Sequence, residues 1–279
     1  MKYIDGGVCS AKGFRAGGMN CGIKAGSTKK DLAMIVSDTM CSAAAVYTTN
    51  KVKGAPLAVT REHLINGTAQ AVICNSGNAN TCAPNGVEIA EKTCEITGSA
   101  LGLAAEDIIV CSTGVIGQEL SIKPFEYGVP KLAEKVSYDG GQEAAEAIMT
   151  TDTIPKSIAV EFEIDGKTCY IGGIAKGSGM IDPNMATMLS FITTDAAVSP
   201  EMLDKALKAD VKTSYNQICV DGDMSPNDTV AVLANGMAGN DEIAEAGTEF
   251  DVFCEALAMV TRYLAKKLAR DGEGATKLI

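Results

Sequence analysis

Tryptophan is absent from this sequence, and histidine occurs once, as His63. A histidine-based triad would have to rest on His63, inside the polar stretch REHLING, where an exposed structural role is the ordinary expectation. Aromatic residues make up only 5% of the chain, so its core has to be packed with Ala, Val, Ile, Leu and Met. No stretch of 18 apolar residues exists, which excludes a conventional membrane-spanning helix, and MKYIDGGVCS lacks the apolar centre of a signal peptide. Positive charge is also short. The formal net charge of −11 argues against nucleic acid or an anionic membrane as the main partner, since phosphate binding needs clustered cations.

Ten cysteines are present, yet no CxxC pair. Scattered from Cys9 to Cys254, they lack the clustering of a zinc site. They read as reduced, mostly buried small hydrophobes of a cytoplasmic protein. Phosphate-loop, GxSxG and strand-GxGxxG-helix signatures are missing too. Asp221 and Asp223 resemble the start of an EF-hand, but Pro226 stands where that loop needs glycine. No metal or cofactor is expected.

The 279 residues fit one large layered unit. Short strands and turns are expected over 2–50. Strands are expected at 71–74, leading into the polar loop NSGNAN, and at 108–111, leading into STGVIG. Helical spacing covers 87–103, one or two helices fall in 124–150, and the second spans 141–149. Alternating Ile158, Val160, Phe162 and Ile164, a turn at Asp165-Gly166 and the return over 169–174 predict a β-hairpin. A strand over 189–197 follows. Ser199-Pro200 predicts the start of a helix running to about residue 214. A strand at 229–234 and an amphipathic helix over 248–269 complete a layered α/β or α+β pattern.

A chain without a catalytic histidine can still activate a hydroxyl through an N-terminal threonine, whose own α-amine takes the proton. That amine has a pKa of about 7.7–8.0, so roughly a tenth is neutral at pH 7; an ordinary lysine is neutral in well under one molecule in a thousand. Freeing such an amine inside a chain requires cutting the preceding peptide bond.

KGSGMIDPNMATML, over 176–189, resembles the self-cleavage motif of the ornithine acetyltransferase (glutamate N-acetyltransferase) family. CNSGNANTC, CSTGVIG, AIMTTDT, VDGDMSPNDT and ARDGEGATK are similar to further blocks of that family, in the same order. Taken singly, each would read as a glycine-rich turn or a solvated charge; together they cover essentially the whole chain.

The resemblance implies an αββα-type sandwich related to the N-terminal-nucleophile hydrolases. It implies acetyl transfer from N-acetylornithine to glutamate through an acetyl-threonine enzyme. Thr187 matches the nucleophile and Ala186 the residue before the cut, dividing the chain into an α segment, 1–186, and a β segment, 187–279. Thr113 and Gly114 match the oxyanion hole, and Lys176 and Glu273 match substrate-binding residues. Of the MTTDT threonines, Thr153 is taken as the substrate-binding one, with Thr150 and Thr151 left open. Two α and two β chains are the expected assembly, and acetyl-CoA is left open as a second acetyl donor.

The family pattern continues past DGEGATK to an Asn and a Thr or Ser that complete the substrate site. The sequence stops at Ile279, so the resemblance implies a site short of those residues. Two other readings remain beside the transferase. One is an autocleaving aminopeptidase or amidase of related fold, usually with Ser as nucleophile. The other is an inactive truncated homologue.

Overall fold

A computed structural model describes residues 1–182 and 188–278. Among the described residues nine strands form one hydrogen-bonded sheet: β1 (Lys2–Ile4), β2 (Phe14–Met19), β3 (Leu32–Tyr47), β4 (Thr68–Asn78), β5 (Ile108–Val115), β6 (Lys156–Ile164), β7 (Lys167–Lys176), β8 (Leu189–Thr194) and β9 (Thr229–Ala234). The path runs β1-β6-β7-β8-β9-β3-β4-β5, with β2 added on β3. The helices are α1 (Ala55–His63), α2 (Gly86–Leu101), α3 (Lys123–Ala133), α4 (Gly141–Ala147), α5 (Pro200–Asp210) and α6 (Thr248–Arg270).

The sheet turns over at β3. Leu32–Val36 pairs with β4, the register slips between Val36 and Cys41, and Ser42–Tyr47 then pairs with β9. A sequence reading of short strands over 2–50 misses this 16-residue strand. Its exposed middle, Asp38, Thr39 and Met40, reads as a break between strands but lies at an irregularity, where a strand bends without ending.

Side-chain alternation shows the layers. In β4 and β5, Val72, Cys74, Ile109 and Cys111 face one core, while Ala71, Ile73, Ile108 and Val110 face another, shared with α1, α2 and α3. In β8 and β9, Leu189, Phe191, Ala231 and Leu233 enter the first core. Ile192, Val230 and Val232 pack on the other side, against α5 and α6. Two sheet layers therefore face each other between two helical layers, the expected αββα sandwich. Among the described residues, nine of the twenty-two buried between the sheet layers are alanine, which is how so few aromatics suffice.

Ser199 caps α5 as expected, its hydroxyl accepting from the Met202 N–H at 3.3 Å. The α-helix ends at Asp210, and 3-10 turns replace its predicted last turn. NSGN stays within β4, paired with β5. The short α1 was not foreseen; its Pro start and β-branched Val59 and Thr60 give little helical signal. His63 ends α1 half-buried, with Nδ1 2.8 Å from the Ile108 carbonyl; a carbonyl only accepts, so Nδ1 carries the proton. All ten cysteines are free, five of them buried, and burial pushes the Cys41 and Cys111 thiols up to about 12.

One ion cluster ties the layers to the end of α6. The buried Lys156 ammonium donates to Asp152 Oδ1 at 2.7 Å and to Asp271 Oδ2 at 2.6 Å. Burial alone would raise both carboxyls. For Asp152 it is outweighed by Lys176 and Lys156, and for Asp271 by the hydrogen bonds from Lys156 and Thr153, so both lie below the usual range. Carboxyls depressed in the fold stabilise it above their unfolded pKa of about 3.9 and lose that contribution as pH falls through the lower folded values. Lys156→Met leaves two facing carboxylates without their shared cation and should cost about 3–5 kcal/mol, read from the denaturant midpoint at pH 7. Adding Asp152→Asn and Asp271→Asn should recover part of that loss.

Candidate active site

The residues singled out from the sequence converge where the two sheet layers meet. Thr113 and Gly114 lie at the end of β5 and Lys176 at the end of β7. Glu273 follows α6. All four line one cavity of about 580 Å³, together with Thr150 and Thr151. Ala186 and Thr187 fall outside the described residues. The segments flanking them are described on both sides, with Ile181 and Met188 buried.

Gly114 has φ +131°, and a Cβ there would come within 2.3 Å of the Gly77 carbonyl carbon. Only glycine fits that conformation and that approach of β5 to β4. Beside it, the Lys176 Nζ donates to Thr113 Oγ1 at 3.1 Å. An ammonium only donates, so the threonine oxygen accepts, and its own O–H proton remains available for a further acceptor. Lys176 is 2% exposed. Burial draws its pKa down, while Asp152 and Asp228 pull it back up.

Asp152 organises the surroundings. Its Oδ1 accepts from the Gly177 N–H at 2.7 Å, next to Lys176, and its Oδ2 from the Thr150 N–H at 3.1 Å. The Thr151 and Ser178 hydroxyls are 2.7 Å apart, and the Glu273 N–H donates to the Ser178 carbonyl at 2.6 Å. A Cβ on Gly179 would sit 2.6 Å from Glu273 Oε1, so glycine lets the carboxylate lie over this turn.

Thr153 is not brought into the cavity. It is exposed, and its N–H and hydroxyl both donate to Asp271. Thr150 and Thr151 occupy the lining instead, because the buried Asp152 side chain turns the run inward at its start. Asp221 also has a structural use: its carboxylate accepts from the Met180, Ile181 and Asp223 N–H groups. Among the described residues no cluster of three or more His, Cys, Asp or Glu is arranged to hold a metal. None of the described helices is long and apolar enough to cross a membrane.

Sequence reasoning assigned no role to three residues at this site. Lys24 lines the cavity and donates to the Lys30 and Met149 carbonyls at 2.9 and 2.8 Å. Asn227 and Asp228 stand just before β9. Asp228 Oδ1 accepts from the Met188 N–H at 2.9 Å. Burial nevertheless pushes this carboxyl well above the usual range, against the hydrogen bonds of Met188 and Ser225. Their only sequence signal was membership of the block VDGDMSPNDT.

The family model of the ArgJ family matches residues 15–279. The arginine biosynthesis bifunctional protein ArgJ of Caldanaerobacter subterraneus subsp. tengcongensis is 50% identical over the whole of this chain, which spans 69% of that protein. That of Bacillus subtilis is 48% identical over 99% of this chain and 68% of its own length. Among solved structures, the Bacillus halodurans arginine biosynthesis bifunctional protein argJ superposes with a TM-score of 0.62 at 41% identity, over 66% of this chain and 97% of that one. The ornithine acetyltransferase of Mycobacterium tuberculosis, solved with ornithine, gives 0.61 at 39% identity, over 65% and 97%. The L-aminopeptidase D-Ala-esterase/amidase of Ochrobactrum anthropi, described as a variant of the Ntn hydrolase fold, shares the fold at 13% identity and a TM-score of 0.53, over 95% of this chain and 86% of that one. Matched by the family model from residue 15 to residue 279, and half identical to a relative along its whole length, the chain belongs to the ArgJ family.

Proposed function

We propose that this chain transfers an acetyl group from N-acetylornithine to glutamate through an acetyl-Thr187 intermediate, after cutting itself between Ala186 and Thr187. The observation that carries the reading is the hydrogen bond from Lys176 to Thr113 beside Gly114. It leaves a hydroxyl proton next to a glycine backbone at the edge of a cavity, the donor set that a tetrahedral oxyanion requires. The ornithine bound in the M. tuberculosis relative supports the substrate class. The B. halodurans and M. tuberculosis chains are each matched almost entirely by about two thirds of this one. For the B. halodurans chain, 66% of 279 residues is about 184, close to the length of the segment ahead of Thr187, in keeping with a cut there.

In this mechanism the Thr187 α-amine takes the proton from the Thr187 hydroxyl, whose oxygen attacks the acetyl carbon of N-acetylornithine. The Thr113 hydroxyl and the Gly114 N–H hold the oxyanion. The C–N bond then breaks, and the proton leaves with the ornithine amine. The glutamate amine next attacks the acetyl-threonine ester and gives its proton to the α-amine. The bond between the acetyl carbon and the Thr187 oxygen breaks, the α-amine returns the proton to that oxygen, and N-acetylglutamate departs. Glu273 meets the substrate ammonium and Lys176 a carboxylate, charge-assisted contacts that orient the acyl group. Thr150 or Thr151 supplies a further hydroxyl from the lining. Every step uses groups of the chain and its substrates, and calls for no cofactor. Segments 1–186 and 187–279 form the α and β chains of an α2β2 cytoplasmic enzyme.

Intact-mass measurement of the purified chain should give two species divided between Ala186 and Thr187, and Thr187→Ala should give one; a cut chain in that variant removes the nucleophile assignment. Thr113→Val should lower kcat by roughly 10²–10³ through loss of one oxyanion donor, with Thr113→Ser recovering most of it in a coupled assay for N-acetylglutamate. An unchanged kcat in Thr113→Val would take the hydroxyl out of the mechanism.

A further inference from the structure

The block VDGDMSPNDT contributes two residues whose hydrogen bonds reach in opposite directions across the sandwich. Asn227 Nδ2 donates to the Ser112 carbonyl at 2.9 Å and to the Ala79 carbonyl at 2.6 Å. Its Oδ1 accepts from the Thr81 hydroxyl. Both donors and the acceptor of this amide are in use, so its orientation is set by its partners. Asp228, the next residue, accepts from the Met188 N–H at 2.9 Å, while the Thr229 N–H donates to the Met188 carbonyl at 3.2 Å. The Asp228 carbonyl itself accepts from the Thr48 N–H at 3.0 Å, just past β3. Asn227 is 5% exposed and Asp228 1%.

The partners matter more than the bonds. Ser112 immediately precedes Thr113, and Met188 immediately follows Thr187. β5 belongs to one sheet layer and β8 to the other, and elsewhere the two layers meet mainly through small apolar side chains. Consecutive Cα atoms lie 3.8 Å apart across a trans peptide. Two strands gripped by adjacent residues are therefore held at a separation that neither layer could fix alone.

We propose that Asn227 and Asp228 form a clamp that sets the spacing between the oxyanion strand β5 and the nucleophile strand β8, Asn227 gripping the first and Asp228 the second. Both are positioning residues: neither need touch the substrate. The inference rests on the assignment of Thr187 as nucleophile. A displacement of about 1 Å between reacting groups can cost on the order of 100-fold in rate, so the clamp acts on self-cleavage and on kcat. Its mark is a loss in self-cleavage and kcat much larger than any change in KM, which the contacts of Glu273 and Lys176 with substrate govern.

Three variants test it beside Thr187→Ala. Asn227→Asp keeps the size of the side chain but replaces both N–H donors with an oxygen facing two carbonyls. Asp228→Ala removes the acceptor for Met188, and Asp228→Asn restores one. Self-cleavage is followed by intact mass, and kcat and KM are expressed per molecule bearing a free Thr187 amine. Asn227→Asp and Asp228→Ala should cleave and turn over at least about 30-fold more slowly with KM within about 3-fold of the parent, and Asp228→Asn should recover at least about 10-fold of the Asp228→Ala loss. An unchanged kcat per cut molecule in Asn227→Asp or Asp228→Ala would reduce the pair to fold stabilisation and overturn the clamp. Asp228→Asn as slow as Asp228→Ala would overturn it in favour of a proton-transfer role for the carboxyl. If Asn227→Asp does not fold, the two Asp228 variants decide alone. Thr187→Ala separates the two ideas: uncut beside fast clamp variants, it removes the clamp only, whereas a cut Thr187→Ala chain removes the nucleophile assignment on which the clamp rests.

Discussion

A lysine ammonium withdrawn from water must be answered by negative charge, and at Lys176 that requirement shapes much of the molecule. Burial lowers its pKa, and Asp152 is the carboxyl that works most against the loss. Asp152 cannot sit buried beside it without partners of its own, since an unpaired carboxylate in the interior is costly. It takes them from the Gly177 and Thr150 backbones and from Lys156. Lys156 in turn engages Asp271, which fixes the chain just beyond α6 and so brings Glu273 back over the Ser178 turn. One buried cation thus draws the end of β7, the loop after α4 and the end of α6 to the rim of a single cavity.

Much of the layering was legible in the sequence. The 158–174 hairpin, the α5 cap and the long α6 follow from periodicities and turn residues that tertiary contacts reinforce. Elements that depended on distant partners were not. β3 reads as several pieces because its middle carries the polar run Ser37, Asp38 and Thr39. Its continuity comes from β4 and β9, which lie far away along the chain. NSGN looks like a polar loop for the same reason: its buried side chains find acceptors in tertiary contacts, Ser76 at the Ala147 carbonyl and Asn78 at the Gln118 and Glu119 carbonyls.

The site divides in a similar way. Thr113, Gly114, Lys176 and Glu273 were named from motifs, and all four reach the cavity. Spacing within MTTDT could not tell which threonine faces inward, because the choice belongs to Asp152 and Asp271, which hold the two ends of the run from opposite sides. Asn227 and Asp228 were invisible as individuals. Their work consists of gripping main chain, and the groups they grip, Ser112, Ala79 and Met188, carry no mark in the sequence of being gripped.

The strand order has a consequence for a chain severed before Thr187. β8 would belong to the second fragment, yet it lies hydrogen-bonded between β7 of the first fragment and β9 of its own, and β9 is bonded in turn to β3 of the first. The two pieces would alternate within one continuous sheet, like the fingers of folded hands. Neither could leave without breaking several rows of backbone hydrogen bonds and opening both outer and inner cores. Severing the backbone would free one amine while leaving the two polypeptides a single thermodynamic unit, and only global unfolding would part them.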